Sequence, residues 1–207
     1  MRYFHKTPFW LKAFYPSLKW DIPSQKKEIF LTFDDGPIPE VTPWVLDKLD
    51  RVGAKATFFC VGDNVRKHPG VLKEVSEQGH TIGNHTFHHV NGWNYSLEEY
   101  LSEIEQCQSE IEKNGITTKL FRPPHGRIRK QQVKAIQKTY DIIMWSHLSG
   151  DFDAKVDRVA SMKVMKVAGP GSVFVFHDSL KAEKNLREML PQVLDHFLNS
   201  GFKFKSL

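Results

Sequence analysis

The chain has 207 residues, with 29 Lys and Arg against 24 Asp and Glu for a net charge of +5, and its side chains are 40% hydrophobic and 12% aromatic. That length fits one domain, or one domain with a short appendage, and the apolar content excludes a disordered chain. The charge is concentrated: residues 1–20 hold Arg2, Lys6, Lys12 and Lys19 and no acidic residue, so the rest is nearly neutral and lacks the broad basic surface of a nucleic-acid binder.

Residues 1–27 read as a basic, aromatic leader ahead of a domain spanning residues 28–207. The leader contains Tyr3, Phe4, Phe9, Trp10, Phe14, Tyr15 and Trp20. Two outcomes are expected for it. Its aromatics pack over the domain while the lysine stems snorkel to water, or it makes a basic–aromatic contact with an anionic membrane surface. Lys6, Pro8, Lys12 and Pro16 interrupt every apolar stretch, so no secretory h-region is visible, and Met1 argues against a removed signal. No segment approaches the ~18 apolar residues of a membrane span. The location expected from the residues alone is therefore cytoplasmic.

From residue 28 short apolar runs alternate with longer amphipathic ones. Strands are predicted over 28–33, 56–61, 80–82, 119–121, 141–146 and 172–176, with a last one over 202–205. Helices are predicted over 42–51, 69–78, 97–113, 130–139, 157–168 and 183–199. Ser96 and Glu99 form a capping-box signature, and Gly53, Gly79, Gly115 and Gly201 follow helices where a left-handed residue is needed. Cys60 and Cys107 are too few for a disulfide framework, and Cys60 reads as a buried small hydrophobe. Alternating strands and helices imply parallel pairing through right-handed crossovers. Seven strands fall short of an eight-unit barrel, and no glycine-rich phosphate loop supports nucleotide binding.

Nearly every predicted strand ends in a polar cluster: Asp34-Asp35-Gly36-Pro37, Asn84-His85, Arg122-Pro123-Pro124 and His177-Asp178, with Asp151 in the loop after the fifth strand. The carboxyl ends of parallel strands are where α/β folds build their sites. His80, His85, His88 and His89 lie within ten residues. In a helical turn His85 and His89 share a face, as ligands of one metal must, and His88 is nearly as well placed, so spacing does not choose between them. An Asp with two His is the donor set of a catalytic zinc-type site with positions left open for water. A second Asp beside it can take a proton from water as that water attacks a carbonyl. His177 suits an acid for the leaving group, Asp151 a partner that keeps it protonated, and Arg122 an orienting partner for the base. Taken singly, each has a blander reading: an acidic turn, a surface charge, a capping loop.

In order, Thr32-Phe33-Asp34-Asp35-Gly36-Pro37, Gly83-Asn84-His85-Thr86-Phe87-His88-His89, Phe121-Arg122-Pro123-Pro124, Trp145 to Asp151-Phe152, and Phe174-Val175-Phe176-His177-Asp178 resemble the polysaccharide deacetylases of carbohydrate esterase family four, the NodB-like homology domain. The resemblance covers all but about the first twenty residues. It implies an α/β fold in the form of a distorted, incomplete (β/α)7-type barrel of parallel strands. It also implies metal-dependent removal of N-acetyl, or O-acetyl, groups from an acetylated glycan such as one containing N-acetylglucosamine. By position Asp34 would be the base, Asp35, His85 and His89 the metal ligands, Arg122 the residue orienting Asp34, His177 the acid and Asp151 its tuning partner. The backbone N–H of His125 would face the oxyanion, and Pro124, Trp145 and Phe152 would belong to the substrate wall. The metal would be Zn²⁺, with Co²⁺, Ni²⁺ or Fe²⁺ also accepted by such a donor set.

Three positions depart from the family pattern. His125 stands where a Tyr is usual, Leu148 where an Asp is common, and Phe152 where a Trp is usual. With the metal set and the acid–base pair intact, these changes point to altered substrate preference rather than lost activity. Two competing functions are a cyclic-amide hydrolase of the same fold, whose members tend to lose part of the Asp-Asp and acid motifs, and a non-catalytic glycan-binding protein. Family members that act on cell walls work outside the cytoplasm, against the location expected from the leader. The spacing leaves the glycan and the oligomeric state open.

Overall fold

The computed structural model describes residues 3–207, so Arg2, one of the four cations of residues 1–20, lies outside the described residues, as does Met1. The elements run α1 (Phe9–Phe14), β1 (Glu28–Asp34), α2 (Thr42–Asp50), β2 (Thr57–Cys60), α3 (Gly62–Lys67), α4 (Pro69–Glu77) and β3 (Thr81–Asn84). They continue with α5 (Leu97–Lys113), β4 (Leu120–Phe121), α6 (Lys130–Ile136), β5 (Asp141–Ile142), β6 (His147–Leu148), α7 (Arg158–Lys166), β7 (Val173–His177), α8 (Glu183–Asn199) and β8 (Lys203–Lys205). The strands form one parallel sheet in the order β5-β4-β3-β2-β1-β7-β6, with β8 paired to the first half of β1. The sheet curls into a half-barrel with helices packed on it, the distorted and incomplete barrel expected from the sequence.

The local chemistry explains the frame. Ser96 Oγ accepts the Glu99 N–H at 3.2 Å while Glu99 Oε2 accepts the Ser96 N–H at 2.8 Å, so both ends of the predicted capping box are closed at the start of α5. The four predicted cap glycines take φ between 63° and 77°, where a Cβ would be strained. β1 is buried along nearly its whole length because it is covered on both faces. Phe33 stacks on Phe58 of β2 (5.0 Å) and on Phe176 of β7 (6.1 Å), in a core closed by α2, α4 and α8. His80 is a core histidine: its Nδ1 accepts the Ala56 N–H at 3.2 Å, and burial lowers its pKa to about 4.

One expectation is corrected and two features add to the expected elements. Of the strand predicted over 141–146 only its start forms β5; the chain then crosses to β6, just past that range, on the opposite edge of the sheet. An apolar run buried on both sides carries no mark of where it changes partner, and this one crosses the open mouth between them. The six-residue helices α1 and α3 are too short to show a helical period. The leader packs on the domain through Leu18 and Trp20 and is also paired with it along the backbone. It is hydrogen-bonded to the crossing stretch: Leu148 N–H to His5 O and Thr7 N–H to Ser146 O at 2.9 Å each, then Met144 N–H to Lys19 O at 2.7 Å. Leu18 and Trp20 are buried against Ile128, Val133, Ile136 and Met144, and Trp20 Nε1–H donates to Tyr15 O at 3.1 Å. Phe4, Phe9, Trp10 and Phe14, by contrast, are exposed.

This division of the leader has a measurable consequence. Trp20→Ala is expected to cost about 3–5 kcal/mol in a denaturation experiment, whereas Phe14→Ser should change stability by no more than about 0.5 kcal/mol. Equal losses would contradict the burial described.

Candidate active site

Asp34 ends β1 in register with His177 at the end of β7. It is buried, and its Oδ1 accepts a hydrogen bond from Arg122 Nη1 at 2.6 Å. The Arg122 guanidinium is itself fully buried and spends its remaining donors on Thr32 Oγ1 (2.6 Å), Ile143 O (3.2 Å) and Met144 O (3.0 Å), lying 4.1 Å over the Phe59 ring. With Oδ1 held, Asp34 Oδ2 is the oxygen nearer His85 Nε2, at 3.9 Å.

Asp35 follows in a left-handed conformation, φ 82°. The turn is fixed from outside by Asn64, whose Nδ2 donates to Asp35 O at 2.7 Å, and by Asp178, which accepts the Gly36 N–H at 3.1 Å and the Thr42 hydroxyl at 2.6 Å. A Cβ on Gly36 would overlap the Asp178 carboxylate, so only glycine fits. Burial pushes the Asp178 carboxyl up to about 7, partly offset by the hydrogen bond from Thr42.

His85 is buried at the end of β3, where its Nδ1–H donates to Arg122 O at 2.7 Å, leaving the Nε2 lone pair for the cleft. Burial lowers its pKa to about 4, so the ring is neutral at pH 7. Asp35 Oδ1 lies 3.1 Å from His89 Nε2 and 3.8 Å from His85 Nε2, yet it is buried without a well-aligned hydrogen-bond partner. Burial works against ionisation of Asp35, but the imidazoles of His89, His177 and His85 hold its carboxyl below the usual carboxylate range. One ligand atom from each of Asp35, His85 and His89 lies within 4.8 Å of the others. An orphaned buried carboxylate oxygen facing two imidazoles, one of them neutral with its second nitrogen satisfied, fits the donor set of one divalent cation.

The helical turn expected to join His85 and His89 is absent. The pair is brought together by a loop with left-handed residues at Thr86 (φ 62°) and His89 (φ 56°), braced by Thr86 N–H to Asn84 Oδ1 and Val90 N–H to Thr86 Oγ1. His88 is drawn away: Glu103 on α5 accepts both its Nδ1–H and its backbone N–H, each at 2.8 Å. Geometry thus separates the two histidines that spacing left equivalent.

Across the cleft, the Asp151 carboxylate accepts His177 Nδ1–H at 2.7 Å and the His177 backbone N–H at 2.8 Å. Ser149 Oγ–H donates to the same carboxylate at 2.8 Å, and Asn185 Nδ2 fixes the Asp151 carbonyl at 2.9 Å. Burial alone would lower the His177 pKa, but Asp151, with Asp35 and Asp34 behind it, outweighs burial and raises it to about 9. Its Nε2 is left for the cleft.

The cleft has a volume of about 360 Å³, and His125, Trp145 and Phe152 line it as expected. His125 has φ 58° and packs its ring 4.7 Å from that of His89. Phe152 packs edge-on to His177 at 5.0 Å. Pro124 is buried and is not part of the lining. Sequence reasoning missed Tyr3, Val175 and Lys181 as wall residues, and named Leu148 only as a departure. Tyr3 packs on Phe152 at 5.2 Å and donates its hydroxyl to Asp153 at 3.3 Å. No motif marks it; only the leader's pairing with the crossing stretch delivers it.

The family model described as polysaccharide deacetylase matches residues 21–142. The chain is 33% identical over 205 residues to a peptidoglycan-N-acetylglucosamine deacetylase of Bacillus cereus, covering 97% of this chain and 74% of that protein. It is 30% identical over 190 residues to a peptidoglycan-N-acetylmuramic acid deacetylase of Bacillus subtilis, covering 89% of this chain and 71% of the relative. A crystal structure of a peptidoglycan N-acetylglucosamine deacetylase superposes with a TM-score of 0.87 at 32% identity, over 97% of this chain and 95% of that one.

The cluster predicts how the neighbouring histidines will behave. His89→Ala should lower the metal content of the purified protein by tenfold or more, on the order of what loss of a ligand costs. His88→Ala should leave it near that of the wild type. Elemental analysis after dialysis reads both, and a larger loss in the His88 variant would reverse the ligand assignment.

Proposed function

We propose, from the premise that the chain belongs to the polysaccharide deacetylase family, that its substrate is peptidoglycan and that the group it removes is the N-acetyl of N-acetylglucosamine. It is a metal-dependent hydrolase of carbohydrate esterase family four acting on an acetylated glycan. The choice of peptidoglycan rests on the relatives' activities. The assignment of roles rests on one observation: a potential metal cluster flanked on one side by a carboxylate held by arginine and on the other by an imidazole held by carboxylate.

In this reading Asp35, His85 and His89 hold the cation, with Zn²⁺ the proposed native ion and Co²⁺, Ni²⁺ or Fe²⁺ compatible with the same donors. A bound divalent cation supplies Lewis acidity to the acetamide carbonyl and to water. Asp34, its Oδ1 pinned by Arg122, takes a proton from water as the water oxygen bonds to the acetyl carbon. The His125 backbone N–H donates to the oxyanion that develops on the carbonyl oxygen. His177, kept protonated by Asp151, gives its Nε2 proton to the departing amine as the C–N bond breaks, leaving acetate and a free glucosamine amine. Trp145 and Phe152 form apolar wall against the sugar. A substrate of this class lies outside the cytoplasmic membrane, so the reading carries an extracytoplasmic location with it, in place of the cytoplasmic one.

Two measurements test this. Acetate release from peptidoglycan fragments and N-acetylglucosamine oligomers should fall by about 10²–10⁴ in Asp34→Asn with metal content retained; wild-type protein that releases no acetate from any of them when loaded with Zn²⁺ would falsify the reading. The second is the alkaline limb of the rate profile. His177 has a raised pKa, so its acid form is present at neutral pH and lost as pH rises through about 9. Asp151→Asn removes the carboxylate charge that raises it, and the limb should move to lower pH. A limb that stays in place would exclude His177 as the acid.

A further inference from the structure

Four large aromatic side chains of the leader face solvent: Phe9 is 84% exposed, Phe14 73%, Phe4 58% and Trp10 45%. They are contiguous, since the Trp10 ring lies 6.4 Å from both Phe4 and Phe14, with Phe9 beside it on α1. Isolated exposed apolar residues need no explanation, but a cluster of this size marks an interaction surface. The side of α1 toward the protein is already used, with Leu11 and Tyr15 packed against the cluster containing Val133 and Ile136 of α6. The outward aromatics therefore do nothing for the fold.

The charge around the patch is basic once ion pairs are set aside. Lys12 and Lys19 are paired with Asp21 and Asp141, but Lys6 is exposed. Next to α1, α6 is tied to the leader by Gln137 Nε2 donating to Ser17 O. Residues 126–140 carry Arg127, Arg129, Lys130, Lys134 and Lys138 and no acidic residue. Lys130 and Lys134 share a face of α6 and Lys138 follows in the turn after it, all three exposed, in the segment that Gln137 ties to the leader.

We propose that this face docks on an anionic lipid bilayer, with the aromatic rings in the interface and Lys130, Lys134 and Lys138 over the headgroups. Ring geometry favours lipid over glycan. A pyranose chain stacks on rings that share a flat face, whereas these stand at 88° and 76° to one another. A second copy of the chain would bring the same lysines toward each other. Tyr3, the residue before Phe4, packs on Phe152 at the rim of the catalytic cleft, so the docked enzyme holds its cleft near the membrane surface. The inference does not depend on the deacetylase reading.

The test is sedimentation of the full chain with phosphatidylglycerol–phosphatidylcholine vesicles and with phosphatidylcholine vesicles alone. Wild type should bind the anionic vesicles preferentially. Phe9→Ser/Phe14→Ser and Lys130→Glu/Lys134→Glu/Lys138→Glu should each bind them at least about tenfold more weakly. Melting temperature and acetate release from a soluble oligosaccharide should be unchanged in both, and graded single variants, Phe9→Ser and Lys134→Gln, serve if a multiple variant does not fold. Absence of wild-type binding, or equal binding by the phenylalanine variant, overturns the proposal. So does a patch whose loss abolishes self-association or retention on insoluble glycan while vesicle binding persists.

Discussion

The buried ion pair between Arg122 and Asp34 is the constraint on which the site depends. Sealing a guanidinium and a carboxylate away from water is costly, and it is tolerated only when geometry is good and the remaining donors are satisfied. Arg122 meets that condition by reaching from the end of β4 to Asp34 and Thr32 on β1 and to the Ile143 and Met144 carbonyls of the crossing stretch. Its backbone carbonyl also fixes the tautomer of His85. One residue thus orients the proposed base with its side chain and a proposed metal ligand with its main chain. A lysine could not replace it, because a single ammonium cannot present donors in several fixed directions.

Around that pair the backbone is held in conformations it would not choose. Among the described residues the non-glycine residues with positive φ are Asp35, Thr86, His89 and His125, and all lie in the site loops. Such conformations cost on the order of 1–3 kcal/mol each and persist only where neighbours over-determine them. Asn64 and Asp178 do this for Asp35, and Asn84 for the loop that carries His89. Beside His177, Ser149 leaves the Asp151 carboxylate little freedom, and Asn185 holds its main-chain carbonyl. The proposed chemistry is therefore prearranged on strand ends, while Tyr3, Phe152 and His125, on less regular segments, line the cleft.

The leader connects these two levels. Its backbone completes the open mouth between β5 and β6, its Leu18 and Trp20 enter the core, and Tyr3 reaches the cleft. It is part of the catalytic unit on its inner side and an unpartnered aromatic surface on its outer side.

The sequence by itself determined the frame and most of the chemistry. Apolar periodicity gave six helices and six of the strands close to their observed bounds, the Ser96–Glu99 box closed as read, and Asp34, Asp35, His85, Arg122, Asp151 and His177 were legible because strand ends concentrate polar residues. Tertiary structure decided what rests on contacts between distant residues. His89 was separated from His88 only because Glu103 captures the latter, and Tyr3 became a wall residue only through pairing across more than a hundred residues. The switch from β5 to β6 escaped reading because a strand that changes edges keeps the same apolar pattern. Local pattern fixes which residues can form an element and which can do chemistry. Which of two equivalent neighbours faces the cleft is set by partners that no local pattern contains.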